Sequence, residues 1–184
     1  MQETDLLQAV PTIARGDIAV IPTDTIYGIV AQAANPSAVQ KIYEVKRRNP
    51  SKPFIILISK LQDLELFNVK PSAEVRQMIQ TYWPGPVSII LDCPDAQFEY
   101  LHRGTNTLAF RLPDNKRITD LVEATGPLVA PSANPEGLPP ATNIEEAKSY
   151  FDGKINCYIE GDVNANPSKI IRITSDGSEE IIRA

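Results

Sequence analysis

Apolar residues recur at helical spacing in some stretches of the chain and form short extended runs in others. Leu6, Leu7, Val10 and Ile13 predict a helix within 4–15, although a proline inside this pattern should kink the helix or shift its start. Further helices are predicted over 36–45, from Ser72 to about 82, over 118–126 and over 142–151. Short apolar runs predict strands at 18–21, 54–58, 87–91, 108–112, 128–130, 155–159, 170–173 and 180–182. This alternation predicts an α/β domain with a mixed sheet, but it does not specify the order of the strands.

Two of these helix starts carry local capping signals. Asn35 followed by Pro36 is typical of an N-cap and a first helical residue. Thr142 and Glu145 have the spacing of a capping box. Asp176-Gly177 predicts a turn between the last two strands.

Composition limits the class of protein. The 184 residues show no internal repeat and no low-complexity linker, so we expect one domain over 1–184. The longest purely aliphatic or aromatic run, 54–58, is too short to cross a membrane, and the N-terminal residues carry no hydrophobic signal core. These features predict a cytoplasmic protein without membrane contact.

Charge and the scarcity of cysteine and histidine exclude several kinds of site. Acidic residues outnumber basic ones 23 to 18, and the net charge of −5 argues against a general nucleic-acid binder. Cys93, Cys157 and His102 are the whole set of these two residue types, which argues against a Cys/His zinc site and a histidine-based triad. No GxxxxGK[ST] or GxGxxG segment is present, so a nucleotide would not be held in a Walker or Rossmann manner.

Three polar loops adjoin predicted strands. PTDTIYG occupies 22–28, KRRNPSKP occupies 46–53 and PSANPEG occupies 131–137. Hydroxyl, carboxylate and amide groups at strand ends are typical of ligand sites in α/β sheets, but the same residues also form ordinary turns. Ser132 is a better candidate for ligand binding than for nucleophilic attack, because it lies in no GxSxG elbow.

The second loop is strongly basic. Residues 41–52 contain five basic residues and one acidic residue, a local charge of +4 in an acidic protein. Basic residues at a helix end complement the helix dipole, whereas a cluster on a proline-rich loop is also suited to a phosphate chain. Composition alone leaves both interpretations open.

Six segments, in order, resemble the YrdC/TsaC family of threonylcarbamoyl-adenylate synthases. They are PTDTIYG (22–28), the K-x-R of Lys46 and Arg48 with its downstream Lys52-Pro53, WPGP (83–86), LAFRLP (108–113), PSAN (131–134) and PSKII (167–171). The resemblance covers nearly the whole chain. It implies an open, twisted α/β sheet with flanking helices and a large, concave basic cleft. It also implies that L-threonine, bicarbonate and ATP give L-threonylcarbamoyl-AMP and pyrophosphate, which supplies N6-threonylcarbamoyladenosine at position 37 of tRNAs.

The resemblance also implies residue roles. Lys46 and Arg48 would be catalytic and would face the phosphates of ATP. L-Threonine would be bound by Thr23, Arg111, Ala130 and Ser168. The nucleotide would further contact Lys52, Thr107, Ser132, Asn134 and Arg183. Mg²⁺ would arrive with ATP, since no protein ligand for a metal can be identified. Other tRNA threonylcarbamoylation proteins would use the product, and tRNA itself would make at most a weak contact.

Two other functions stay open at this point: an RNA-binding module for tRNA or double-stranded RNA, and a carbamoyl-handling maturation factor. The acidic composition argues against the first. The chain has no room for the zinc-finger and acylphosphatase-like domains that usually accompany the second. Lys169, Leu57 and the shortened Arg183-Ala184 ending depart from the family pattern.

Overall fold

A computed structural model describes residues 5–151, 153–164 and 166–184. The α-helices are α1 (Val10–Ala14), α2 (Pro36–Lys46), α3 (Ala73–Tyr82), α4 (Glu99–His102), α5 (Lys116–Thr125) and α6 (Ile144–Phe151). Three 3₁₀ segments, Leu6–Ala9, Leu61–Phe67 and Ala96–Phe98, lie between them or before them. In the described part of the chain, no helix is long and apolar enough to cross a membrane.

The described residues form one nine-stranded mixed sheet. Its strands are β1 (Ala19–Pro22), β2 (Tyr27–Gln32), β3 (Ile55–Leu57), β4 (Val87–Asp92), β5 (Thr107–Arg111), β6 (Leu128–Val129), β7 (Cys157–Tyr158), β8 (Lys169–Ile173) and β9 (Glu179–Arg183). They are ordered β7-β1-β2-β6-β3-β5-β4-β8-β9. The β1–β7, β3–β5 and β4–β8 pairs are parallel, and the other neighbours are antiparallel. The predicted mixed α/β class is therefore confirmed.

Both faces of the sheet are covered, because neighbouring residues on one strand pack into different cores. Val20 belongs to the larger core with α2 and α3, whereas Ile21 belongs to the smaller core with α1 and α5. Ile56 and Leu57 divide in the same way along β3. This alternation follows from the two-residue repeat of an extended chain and leaves the loops at the strand ends free to form a site.

Local signals fix several boundaries. The Asn35 side chain accepts a hydrogen bond from the Ala38 N–H (3.0 Å), so α2 begins at Pro36 as predicted. At α6 the Glu146 N–H instead donates to the Asn143 side chain (2.9 Å). The expected box of Thr142 and Glu145 was therefore wrong by one residue.

The bend formed by WPGP (83–86) is tightly packed. Trp83 is buried and its Nε1 donates to the Val87 carbonyl (2.6 Å). A Cβ on Gly85 would lie 2.7 Å from the Tyr82 carbonyl oxygen, so a larger residue could not occupy this position without a shift. The structural interpretation of this motif is consistent with these contacts.

The sequence did not predict β2, and it described the first helix incompletely. β2 is buried along almost its whole length and therefore lacks the alternation of a half-exposed strand. The first helix begins as a 3₁₀ turn at Leu6, and α1 starts only at Val10, with Pro11 in its first turn. Residue 4 of that predicted helix lies outside the described residues.

Candidate functional site

A cavity of about 270 Å³ lies where the ends of several strands meet. Its walls combine the turn after β1, the loops before β3 and after β6, and the segment that leads into β8. The polar side chains that line it are Thr23, Thr25, Arg48, Arg111, Ser132, Ser168 and Arg183. Among the described lining residues, three are arginines and none is an aspartate or glutamate. A broad basic cleft beyond this cavity stays a prediction.

Thr23 builds the turn between β1 and β2. Its Oγ1 donates to the Ile26 carbonyl (2.6 Å) and accepts from the Thr25 and Ile26 N–H groups (both 3.2 Å). Thr25 Oγ1 lies 3.0 Å from Thr23 Oγ1. A threonine hydroxyl that bonds nearby backbone groups in this way fixes a tight turn and exposes the next side chains to the cavity.

Arg111 ends β5 and is held by this turn. Its Nη1 donates to Thr25 Oγ1 (3.0 Å), and its Nη2 lies 2.9 Å from Asp24 Oδ1. The arginine side chain is only 5% exposed, and its Nε has no protein partner among the described residues. Burial raises the pKa of Asp24, and Arg111 opposes this shift. The pair therefore keeps a guanidinium charge inside the cavity wall.

Arg183 and Ser168 join the last strands to the same cavity. The Arg183 Nη2 donates to the Ser168 carbonyl (2.6 Å), and its Nε donates to the same oxygen (3.1 Å). Ser168 is buried, and its hydroxyl lies 2.9 Å from the hydroxyl of Ser88 on β4. Arg183 is thus held in place by Ser168.

Lys46 is buried beneath the PSAN segment. Its Nζ donates to the carbonyl oxygens of Ser132 and Asn134, each at 2.5 Å. Burial lowers the pKa of Lys46 to about 7, and the nearby Arg48 acts in the same direction, whereas Glu136 opposes it. The sequence placed Lys46 at the start of a polar loop; this was wrong, because Lys46 is the last residue of α2 and only 1% of it is exposed.

The basic loop after α2 divides its residues between different environments. Arg47 ends the helix in a left-handed conformation (φ 50°), which turns the next residue back toward the cavity. Arg48 lines the cavity. Lys52 is exposed and forms an ion pair with Glu136, whose other carboxylate oxygen accepts from the Asn49 N–H (2.6 Å).

Nine of the predicted site residues belong to two groups. Thr23, Arg48, Arg111, Ala130, Ser132, Ser168 and Arg183 line the cavity together. Lys46 supports one wall without lining the cavity itself. Asn134 does the same, because its amide accepts from Ser132 Oγ (2.5 Å) and donates to the Leu138 carbonyl (2.5 Å).

Thr107 and Lys52 are not among the residues that line the cavity. Thr107 begins β5 while Arg111 ends it, so about 13 Å of extended strand separates them at ~3.3 Å per residue. The Thr107 hydroxyl bonds to Thr105 (3.2 Å). Thr107 and Arg111 lie on the same strand, as the resemblance implies, and the role of Thr107 as a nucleotide contact stays a prediction. Leu57, one of the departures from the family pattern, packs in the smaller core and does not line the cavity.

Sequence reasoning missed Asp24, Thr25, Ser88 and Phe54. Asp24 and Thr25 lie inside PTDTIYG, so their spacing next to a strand end was the available signal. Ser88 is a fully buried polar residue in an apolar strand, which marks a hydrogen-bonding role. The Phe54 ring lies under the Arg48 guanidinium (5.3 Å from its carbon to the ring centroid), and an apolar run in the sequence carries no sign of this contact.

No protein-bound metal centre is supported by these residues. Among the described residues there is no group of three or more His, Cys, Asp or Glu side chains that could hold a metal ion. The Asp24 carboxylate is paired with Arg111, which lines the cavity.

Comparison with known proteins places this arrangement in a family. The Sua5/YciO/YrdC family profile, described as telomere recombination, matches residues 11–184. The chain belongs to the Sua5/YciO/YrdC family. The resemblance noted in the sequence is therefore confirmed.

Relatives within the Sua5/YciO/YrdC family carry a consistent name. The chain is 34% identical over 161 residues to the threonylcarbamoyl-AMP synthase of Bacillus subtilis, covering 86% of this chain and 46% of that protein. It is 32% identical over 169 residues to the threonylcarbamoyl-AMP synthase of Marinobacter nauticus, covering 89% and 88% respectively. The chain spans about half the length of some curated relatives that it matches, including those of B. subtilis and Pyrococcus abyssi.

A solved member of the Sua5/YciO/YrdC family shares the fold. The crystal structure of P. abyssi Sua5 complexed with L-threonine aligns with a TM-score of 0.80 and 32% identity. The alignment covers 90% of this chain and 49% of that one. The open, twisted sheet with flanking helices is thus the architecture of the family.

Proposed function

We propose that this protein is an L-threonylcarbamoyl-AMP synthase, a nucleotidyltransferase that converts L-threonine, bicarbonate and ATP into L-threonylcarbamoyl-AMP and pyrophosphate. The observation that carries the proposal is the convergence of Thr23, Arg48, Arg111, Ser132 and Arg183 on one cavity. These residues come from distant parts of a chain whose relatives are named for this activity. The complex of P. abyssi Sua5 with L-threonine supports the amino-acid substrate.

The reaction brings together several negative charges. The carbamate formed from threonine's amine and bicarbonate attacks the α-phosphorus of ATP, and the bond from that phosphorus to the pyrophosphate oxygen breaks. The described lining residues include three arginines and no carboxylate. The arginines are suited to this task, because they stabilise the anions by preorganised charge. No covalent protein nucleophile is needed.

Arg111 is the residue we assign to the threonine carboxylate. It is buried, it is oriented by Asp24 and Thr25, and it lines the cavity. Guanidinium groups bind carboxylates through two parallel hydrogen bonds when they are held in this way. Thr23, Ala130 and Ser168 complete the proposed threonine subsite.

Arg48, Ser132 and Arg183 form the proposed nucleotide side. Lys46 and Asn134 would act on the nucleotide by shaping the PSAN segment rather than by direct contact, since both are engaged within the protein. Lys52 lies outside the cavity lining, where it would add a longer-range attraction for phosphate.

We propose that Mg²⁺ enters the site as its complex with ATP, where it would neutralise part of the polyphosphate charge. The product would pass to other tRNA threonylcarbamoylation proteins in the cytoplasm. A cavity of about 270 Å³ is suited to small molecules, and this favours the synthase over an RNA-binding module.

Pyrophosphate release tests the proposal. The purified protein with ATP should release pyrophosphate only when both L-threonine and bicarbonate are present. Release that needs neither of them, or no release under any of these conditions, would contradict the assignment. D-threonine is the matched control, because it preserves composition and charge but inverts the geometry at the α-carbon.

A further inference from the structure

Four side chains form a continuous stack beside the cavity. The rings of Tyr43 and Phe54 are stacked, with centroids 4.1 Å apart and planes inclined by 25°. The guanidinium carbon of Arg48 lies 5.3 Å from the Phe54 centroid, and that of Arg103 lies 4.2 Å from the Tyr43 centroid. Because the two rings cover one face of each other, each arginine takes the face that remains. The order is therefore Arg48, Phe54, Tyr43, Arg103.

The stack joins segments that are far apart in sequence. Tyr43 lies on α2, Phe54 precedes β3, and Arg103 follows α4. The left-handed Arg47 at the end of α2 returns the chain, so that the Arg48 N–H bonds to the Tyr43 carbonyl (3.0 Å). The turn at the C-terminal end of α2 thus brings Arg48 to the ring of Phe54, which stacks on Tyr43 of the same helix.

Hydrogen bonds hold Arg48 only loosely. Its Nε donates to the Lys52 carbonyl at 3.3 Å, and its Nη2 donates to the Pro53 carbonyl at 3.4 Å. Both distances are longer than the usual 2.7–3.2 Å for an N–H···O bond. The Phe54 ring, 5.3 Å from the guanidinium carbon, therefore adds a restraint that these two long hydrogen bonds do not supply.

Phe54 itself has little freedom to move. It is 4% exposed, it belongs to the larger core, and it lines the cavity. The Tyr43 hydroxyl donates to the Lys52 carbonyl (3.0 Å), which is the same oxygen that accepts from Arg48. Burial raises the pKa of Tyr43, and its hydroxyl acts as a hydrogen-bond donor. A rigid aromatic pair thus underlies a half-buried cavity arginine.

We infer that Phe54 is a positioning residue that fixes the guanidinium of Arg48 at the cavity through a cation–π contact, with Tyr43 and Arg103 completing the stack behind it. The negative face of an aromatic ring attracts a guanidinium, and the attraction grows as water is excluded. The inference rests on the proposed function for its kinetic consequence, but the positioning itself is a property of the free protein.

A double-mutant cycle separates action through Arg48 from a direct effect of the ring. Phe54→Leu keeps an apolar side chain but removes the π face, and it should lower kcat/KM for ATP about three- to ten-fold. Phe54→Tyr keeps the face and should stay within about two-fold of wild type. In an Arg48→Ala background, Phe54→Leu should change kcat/KM by less than about two-fold, since contacts that act through one group are not additive. Independent, multiplicative losses would overturn the inference.

Two further measurements keep the test decisive. Phe67→Leu is the matched control: Phe67 is equally buried and packs on Phe98 and Phe110, but it does not line the cavity. It should lower thermal stability while leaving kcat/KM of the folded protein unchanged. If it lowers kcat/KM as much as Phe54→Leu does, the effect is general core loosening and the inference is wrong.

NMR tests the positioning without relying on activity. The Arg48 Hε resonance, assigned by its loss in Arg48→Ala, should be shifted upfield by the Phe54 ring in wild type and should move downfield in Phe54→Leu. An identical resonance in both proteins would overturn the inference. A ring-shifted resonance in a protein that lacks threonine-dependent pyrophosphate release would contradict the proposed function alone.

Discussion

The ammonium group of Lys46 lies 2.5 Å from the Ser132 carbonyl oxygen, 86 positions further along the chain. The Lys46 carbonyl in turn accepts from the Glu136 N–H (2.8 Å). The end of α2 and the PSAN segment are therefore joined in both directions. This pair of contacts, the Lys46 clamp, holds the loops at 46–53 and 131–137 together, although the sequence showed them only as separate polar segments.

Lys46→Met should destabilise the protein as well as reduce its activity. Methionine fills most of the same space but has no donor, so the carbonyls of Ser132 and Asn134 would lose a charged partner. A buried acceptor left without its donor costs about 1–3 kcal/mol in the free energy of unfolding. Urea unfolding measures this loss. An unchanged midpoint would show that the clamp contributes nothing to stability.

Stability should also depend on pH through Lys46. Its pKa is about 7 in the folded protein, against 10.5 ordinarily. Between these values the unfolded chain binds more protons than the folded one, so the free energy of unfolding rises with pH, by at most about 1.4 kcal/mol per unit. Below pH 7 Lys46 is protonated in both the folded and the unfolded chain, so the folded protein bears the full free-energy cost of burying its charge. The stability of wild type relative to Lys46→Met should therefore increase between pH 7 and pH 9. A constant or decreasing difference would contradict the shifted pKa.

Arg48→Ala should reduce synthase activity by about 100-fold or more, since loss of one preorganised charge costs about 3 kcal/mol in a transition state of this kind. Arg48 is half-buried and its hydrogen bonds are long, so the melting temperature should change little. Pyrophosphate release and thermal melting measured together check both statements. Turnover near the wild-type rate would exclude Arg48 from the reaction.

Arg183→Ala should raise the KM for ATP several-fold with little change in kcat, because a contact made equally in the ground and transition states affects binding more than chemistry. Arg183 also donates to the Ser168 carbonyl, so the KM for threonine should rise as well. Steady-state kinetics with each substrate varied provides the measurement. Removal of residues 183–184 without any effect on either KM would mean that this arginine does not serve the site.

Thr107→Val tests whether Thr107 contacts the nucleotide, as the resemblance implies. The resemblance makes Thr107 a nucleotide contact, whereas the residue lies at the far end of β5 from Arg111 and does not line the cavity. The variant should keep wild-type kcat and KM for ATP. A several-fold rise in the KM for ATP would show that the nucleotide extends along the strand to this position.

Local signals accounted for much of the secondary structure. Asn35 and Pro36 fixed the start of α2, and Asp176-Gly177 correctly predicted the turn before β9, where Gly177 has a positive φ of 84°. β2 was missed because it follows the polar segment at 22–26 without a spacer. The Thr23 hydroxyl bonds to the Ile26 carbonyl and forms the turn there, so the buried strand can begin at the next residue. Strand order could not be predicted, since it depends on contacts between distant segments.

The site was only partly predictable for the same reason. The run Lys46-Arg47-Arg48 is uniform in charge, but helix capping sends the first residue inward, the second to solvent and the third toward the cavity. Composition carries no sign of this division. Likewise, the pairing of Asp24 with Arg111 joins residues 87 positions apart, and only the folded sheet brings them together.

The most direct test of the account is mass spectrometry of the product formed from L-threonine, ¹³C-bicarbonate and ATP. We expect a species with the mass of threonylcarbamoyl-AMP that carries one ¹³C atom, accompanied by an equal amount of pyrophosphate. Formation of ADP or AMP without a labelled threonine adduct, or an adduct that carries no label, would contradict the assignment.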